Sequence, residues 1–235
     1  MQEKDLPIDR TCHAVYTKAC KKQMRQVLEK YDSPEEQEKM WKTFQQKFVE
    51  CLKTWRTDLG GAKKFHNGQG GTYDCIAMMC FYDVCREKIT FRDVEAMEEN
   101  LMLPSFRKLR FVNINRPFWK KLMHTAFTKA KSRCDAWHDY EMHVQPYDAD
   151  KPITYDFTTC PTAEFAKQFG YTDIVAALCN VDYVCLQQLH ARLIRTGTCV
   201  DCDRCDYCIA GDQDVQALAG HEEYVDEAGF RRNRK

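Results

Sequence analysis

The chain contains no run of about 18 apolar residues, the length a helix needs to cross a bilayer, so no membrane span is expected. Its opening, Met1-Gln2-Glu3-Lys4-Asp5-Leu6-Pro7, lacks the apolar centre of a secretory leader, which points to a cytoplasmic protein. An excess of charge is missing too. Thirty-five Lys and Arg balance 35 Asp and Glu, so no net field draws the chain to nucleic acid or to an anionic membrane. With 44 % apolar residues the sequence is that of a soluble globular protein rather than a disordered one. What it has in quantity is cysteine, 14 in 235 residues. Without an export signal these read as reduced thiols rather than a disulfide framework, and they invite metal or thiol chemistry.

The first half reads as helices. Asp9 to Tyr31 carries Val15, Ala19, Met24 and Leu28 at rough helical spacing. Ser33-Pro34-Glu35-Glu36 is a start signal for a second helix: serine caps, proline takes the first position, and Glu36 reaches back. Met40, Trp41, Phe44, Phe48, Leu52 and Trp55 then form an apolar stripe, a core face that can also serve a homo-oligomer, and Gly60-Gly61 ends the helix. His66-Asn67-Gly68-Gln69-Gly70-Gly71 is glycine-rich, but a helix precedes it and no lysine follows, so a helix connection is expected rather than a phosphate cradle. Thr72 to Glu87 is the next helix; Cys75, Cys80 and Cys85, five apart, spiral around it and cannot share one metal. Thr90 and Asp93 start another that continues through Met97, and a longer helix is expected from Ser105 to Ser132, bent at Pro117.

After Cys134 the period changes from helical to alternating. Trp137 to Val144 reads as a strand, 146–150 as a turn and Ile153 to Thr158 as a second strand. His138 and His143 have opposite parity and are not expected to act as a ligand pair. Pro161 opens a helix that stops at Gly170, which makes Cys160 its N-cap. A thiol at that position feels the positive end of the helix dipole, and its thiolate is favoured; a small buried filler is the plainer alternative. An apolar helix follows from Ile174 to Leu189, with Cys179 and Asp182 three apart on one face. An acid in so apolar a helix needs a partner or a task. Ala191–Val200 and Cys205–Ala210 read as a hairpin around a four-residue turn, and Gly211 to Lys235 as a polar tail with a loose end. The fold class is therefore α+β, a helical N-terminal half packed on a four-stranded antiparallel sheet with two inserted helices. The expected regions are 1–134 helical, 135–210 catalytic and 211–235 tail.

Cys199, Cys202, Cys205 and Cys208 stand three apart. An iron–sulfur ladder of this kind continues differently, with its fourth cysteine after three residues and a proline behind it. Structural zinc draws its cysteine pairs from separated segments. On a strand, Cys205, Tyr207 and Ile209 share one face and Asp206 and Cys208 the other, so the four sulfurs do not converge.

Taken together, Cys160-Pro161, Cys179-Asn180-Val181-Asp182, Arg195-Thr196-Gly197-Thr198 and Cys205-Asp206-Tyr207 resemble, in order and spacing, the L-2-amino-thiazoline-4-carboxylic acid hydrolase family. The resemblance spans Trp137 to Ile209. It departs at the turn, where the family tends to have glycine and Val200-Asp201-Cys202-Asp203-Arg204 has none. The resemblance implies hydrolytic opening of a cyclic amidine or amide at a carbon–nitrogen bond. Its catalytic residues would be Cys160, as a thiolate adding to the ring carbon, Asp182 at the amidine nitrogens, and Cys205. Arg195, Thr198 and Asp206 would bind the substrate, Arg195 as a fork for its carboxylate. No cofactor is expected on this mechanism; the alternative places zinc on Cys160, Cys179, Asp182 and Cys205 to activate water. The partner implied is a small molecule with a carboxylate. A zinc-holding small-molecule-binding module, sensor-like and without catalysis, is the competing function.

Overall fold

The computed structural model describes residues 16–55, 70–137 and 140–234. They form two compact units, Met1–Leu101 with Pro161–Leu178 and Met102–Cys160 with Cys179–Lys235. Among the described residues no helix is long and apolar enough to cross a membrane.

The first unit is helical. Helix α1, Lys18–Val27, opens at Thr17, whose hydroxyl accepts from the Cys20 N–H, and a 3-10 turn follows at Leu28–Lys30. The expected start at Asp9 lies outside the described residues. Helix α2, Pro34–Thr54, is capped as its sequence dictates, with Ser33 Oγ taking the Glu36 N–H at 3.1 Å. Trp41, Phe44, Phe48 and Leu52 on it are buried. It ends at Thr54, with Trp55 already extended, so it stops short of Gly60-Gly61, which with His66–Gln69 lies outside the described residues. Helix α3, Gly70–Cys85, buries Tyr73, Ile76, Met78, Met79, Cys80 and Phe81 all round its circumference, the mark of a helix enclosed by its neighbours.

Helix α4, Phe91–Lys108, starts where Thr90 gives both its N–H and its hydroxyl to Asp93 Oδ2. It continues past Met97 and through Pro104. The expected long helix bent at Pro117 is instead two elements: α4 ends at Lys108, and α5, Pro117–Trp137, begins at the proline. Proline has no N–H to give in a helix interior but loses nothing in the first turn, so it starts a helix more readily than it bends one. Trp137 accordingly closes α5 rather than opening a strand; His138 lies outside the described residues. Helix α6, Pro161–Phe169, runs between Cys160 and Gly170 as expected, and Gly170 ends it at φ +76°.

The apolar helix expected from Ile174 to Leu189 is broken in two, α7 at Val175–Cys179 and α8 at Val181–Gln187. Asn180 stands at the break. Its side-chain amide donates to the Gly229 carbonyl at 2.9 Å and accepts from the Arg231 N–H at 2.8 Å.

The second unit carries the sheet. Strands β1 (Glu141–Val144), β2 (Ile153–Thr159), β3 (Ala191–Ile194) and β4 (Cys205–Gly211) are antiparallel in the order β1-β2-β4-β3. Ile153, Tyr155 and Phe157 lie opposite Ile209, Tyr207 and Cys205, so these six share one face. Helix α5 covers part of it, with Phe127 on Tyr155 at 4.5 Å between ring centroids. The class is α+β.

Two expectations fail beyond β3. The hairpin loop runs from Arg195 to Arg204, not over four residues, because the Asp206 carboxylate replaces the strand ladder: it accepts the N–H groups of Thr196 and Gly197 and the Thr196 hydroxyl at 2.6–3.1 Å. No non-glycine residue of that loop has a positive φ, so the absence of glycine between Val200 and Arg204 carries no strain. The tail is not a loose end. After α9 (Val215–Leu218) it forms a hairpin of β5 (Glu223–Val225) and β6 (Arg231–Asn233), with Phe230, Arg232 and Asn233 buried.

Candidate active site

Asp182 sits in the first turn of α8, Arg195 just past β3 and Tyr207 mid-way along β4. One carboxylate oxygen, Asp182 Oδ2, takes Arg195 Nη1 at 3.1 Å and the Tyr207 hydroxyl at 2.8 Å. Arg195 is 0 % exposed, and Nη2 donates to the Cys179 carbonyl at 3.1 Å. Its guanidinium lies against the rings of Tyr183 and Tyr207, and among the described residues Nε has no partner. Asn233 holds the backbone of Arg195 from the tail: its N–H donates to the Arg195 carbonyl at 2.8 Å, and its side-chain oxygen takes the Arg195 N–H at 3.1 Å. Burial by itself would depress Arg195, but Tyr207, Asp182 and Cys179 outweigh it and keep the cation firmly protonated.

Burial pushes Asp182 up, and Arg195 and Tyr207 only partly pull it back, so its carboxyl holds a proton more tightly than an ordinary aspartate. The side chain nevertheless keeps 35 % of its exposure. It lines a groove of about 490 Å³. The groove lies between residues 106–112, helices α5 and α8, and the sheet face, where Tyr155 and Tyr207 stack at 4.6 Å. Among the described residues Asp182 Oδ1 has no hydrogen-bond partner, although Oδ2 has two.

On another side of this cluster are thiols. Burial raises Cys179 well above an ordinary thiol; Arg195 opposes it, and Cys205, Cys160 and Asp182 add to it. Those five residues therefore lie within one electrostatic neighbourhood. Cys205 Sγ accepts the Cys199 N–H at 3.0 Å, and the Cys199 thiol together with burial holds Cys205 far above the thiol range. The Cys199 thiol bonds the Phe157 carbonyl, Cys202 is exposed, and Cys208 is half-buried on the strand face away from Cys205. Among the described residues no three His, Cys, Asp or Glu side chains are grouped to hold a metal ion. Cys160 is half-buried directly before Pro161.

The structure thus gathers Cys160, Cys179, Asp182, Arg195 and Cys205, and gives the other two expected site residues local work. Asp206 is occupied by the loop, and Thr198, 0 % exposed, donates to Asp201. Tyr207 stood in the motif without a role, and here it bonds Asp182. Tyr155 showed only as an alternating aromatic. The tail residue Asn233 had no signal beyond the turn-forming Asp226 and Gly229 that precede it. The groove had none, because its walls come from five separate segments.

A sequence model of one family, described as L-2-amino-thiazoline-4-carboxylic acid hydrolase, matches residues 77–209, more than half of the chain. The match begins inside α3 and so reaches well before the motifs. No curated protein and no solved structure matches the chain.

Proposed function

The chain belongs to the L-2-amino-thiazoline-4-carboxylic acid hydrolase family, and from that premise we propose that it opens the ring of a small cyclic amidine by hydrolysis of a carbon–nitrogen bond. The observation that carries the reading is the unused oxygen of Asp182, beside a buried cation and in the same neighbourhood as Cys160. Amidine N–H groups are the donors such an oxygen would accept. A carboxyl whose pKa is raised can give a proton to a leaving nitrogen and take it back from water.

In this reading the Cys160 thiolate, favoured by its place at the start of α6, bonds to the amidine carbon. The ring nitrogen takes a proton from Asp182 and leaves with the carbon–nitrogen bonding pair. Water then attacks the same carbon and releases the Cys160 sulfur, and Asp182 recovers a proton. Arg195 acts through Asp182, since its guanidinium is fully buried against that carboxylate and the Cys179 carbonyl. It serves as a positioning residue rather than a fork for a substrate carboxylate.

A second reading, a small-molecule-binding module without catalysis, has one observation in its favour: Cys160 is not part of the groove wall onto which Asp182 opens. Turnover separates the two. Hydrolysis of 2-amino-thiazoline-4-carboxylate and of unsubstituted cyclic amidines should fall by roughly 10³-fold or more in Cys160→Ala. Asp182→Asn should lower it by about 10²–10⁴. Equal rates in wild type, Cys160→Ala and Cys160→Ser would remove the thiolate. The group freed in the product names the bond: a new amine means carbon–nitrogen cleavage, whereas a new thiol would mean that the ring's carbon–sulfur bond opens instead.

A further inference from the structure

The groove at Asp182 does not match the shape or polarity of a small ring bearing a carboxylate. Its volume of about 490 Å³ falls within the roughly 300–1,000 Å³ typical of drug-sized ligands. Its walls are aromatic and aliphatic: Phe106, Phe111, Trp119 and Phe127 on one side, Tyr155 and Tyr207 on the sheet. Among the described residues no lysine, arginine or histidine lines it, so the lining supplies no counter-charge for a carboxylate. Arg195, the cation nearest in the sequence motif, is 0 % exposed behind Asp182. Among the described residues the one charged group in the lining is Asp182, whose Oδ1 has no hydrogen-bond partner there.

We propose that this groove takes an amphipathic organic cation, an amidinium or ammonium head on Asp182 Oδ1 with an aromatic body along the Trp119–Tyr155 wall. The occupant is bulkier and more apolar than the family's namesake thiazoline. Three features point to it together. An N–H-bearing cation completes the half-used carboxylate with a charge-assisted hydrogen bond. Aromatic side chains, Phe106, Phe111 and Trp119 among them, line the groove and pack against the apolar body of such a ligand. Phe111 and Leu122, 62 % and 51 % exposed, gain cover from the body of such a ligand. The proposal rests on the cyclic-amidine reading only for what happens to the head group; binding stands apart from turnover.

The test is therefore calorimetric titration of the full chain with three compounds of one shape: biphenyl amidinium, neutral biphenyl carboxamide and anionic biphenyl carboxylate. The amidinium should bind at least about tenfold more tightly than either of the others. Asp182→Asn should erase that preference. Because Asp182 also holds Arg195, that variant can lose its fold; Ala126→Trp, on an exposed position of α5 that lines the groove, closes the space without touching the pair. It should weaken the amidinium by about tenfold or more. Equal affinity for amidinium and carboxamide, or amidinium binding unchanged by Ala126→Trp, overturns the proposal. So does the finding that no biphenyl binds and that the groove is instead covered by a second copy, seen as a dimer by light scattering that Ala126→Trp dissociates. Selective amidinium binding with no cyclic amidine hydrolysed leaves this site standing and removes the proposed reaction. Thiazoline hydrolysis that saturating biphenyl amidinium does not inhibit leaves the reaction standing and removes the site as its entrance.

Discussion

Asp74 in the helical unit and Asp182 in the sheet unit are both carboxylates taken out of bulk water, and they are stabilised by opposite means. Asp74, 6 % exposed, uses both oxygens on the start of α1: Oδ1 takes the Thr17 N–H at 2.6 Å and Oδ2 the Thr17 hydroxyl at 2.8 Å. No cation pairs with it among the described residues, and burial carries its pKa up to about 6 in spite of those bonds. Asp182 has a buried guanidinium and a tyrosine on one oxygen and an open groove on the other. A saturated carboxylate that ties two helices together is architecture. A half-used one, backed by a cation and facing an apolar wall, has binding capacity left over.

Removing the cation breaks the comparison most severely. Arg195→Met leaves Asp182 buried without its counter-charge and should cost about 3–5 kcal/mol in a denaturant midpoint measurement. Adding Asp182→Leu to that variant should restore most of the loss, because the pair is then replaced rather than broken. A cost below about 1 kcal/mol for Arg195→Met, the range of a solvated surface pair, would mean that Asp182 does not depend on the guanidinium.

The next effect is one of pH. Asp74 binds its proton more tightly folded than unfolded, so its contribution is full below the ordinary aspartate value near 3.8 and is lost as pH rises through about 6. Wild-type stability should therefore fall across that window relative to Asp74→Asn, by at most about 3 kcal/mol at about 1.4 kcal/mol per pH unit. Asparagine can still accept the Thr17 N–H, which isolates the charge from the hydrogen bond. Parallel pH profiles for the two proteins would show that Asp74 does not titrate in this way. The smallest effect leaves both carboxylates alone. Ser33→Ala removes the cap of α2 and should lower the midpoint by about 1 kcal/mol, with no change in the amidinium affinity of the other unit.

Local signals in the sequence hold up wherever the partner of a residue is its own neighbour. Ser33 with Glu36, Thr90 with Asp93, Pro161 at the start of α6 and the alternation of Ile153, Tyr155 and Phe157 are of this kind. Apart from the helix break before Pro117 and the end of α5 at Trp137, the misreadings arise where a polar side chain bonds away from its own turn. Asn180 splits an apolar helix by bonding residues 49 and 51 positions away. Asp206 draws Thr196 and Gly197 out of the ladder and lengthens a hairpin loop. The tail looked loose because its residues are polar, yet Asn233 bonds Arg195 and Tyr183, and Arg232 pairs with Asp201 and Asp226. For the site, the motif spacing named Asp182, Arg195 and Cys179, which hydrogen bonds join in the fold. It left open whether Arg195 would be spent on Asp182 or on a ligand.

By itself the sequence determined the α+β class, the family and a short list of candidate site residues, because capping, periodicity and motif order depend on residues close together in the chain. Only the tertiary structure decided which of those side chains keeps an unused atom. That depends on how much of each group's bonding capacity is consumed by distant partners, Tyr207 and Arg195 on one oxygen of Asp182 and an apolar groove before the other.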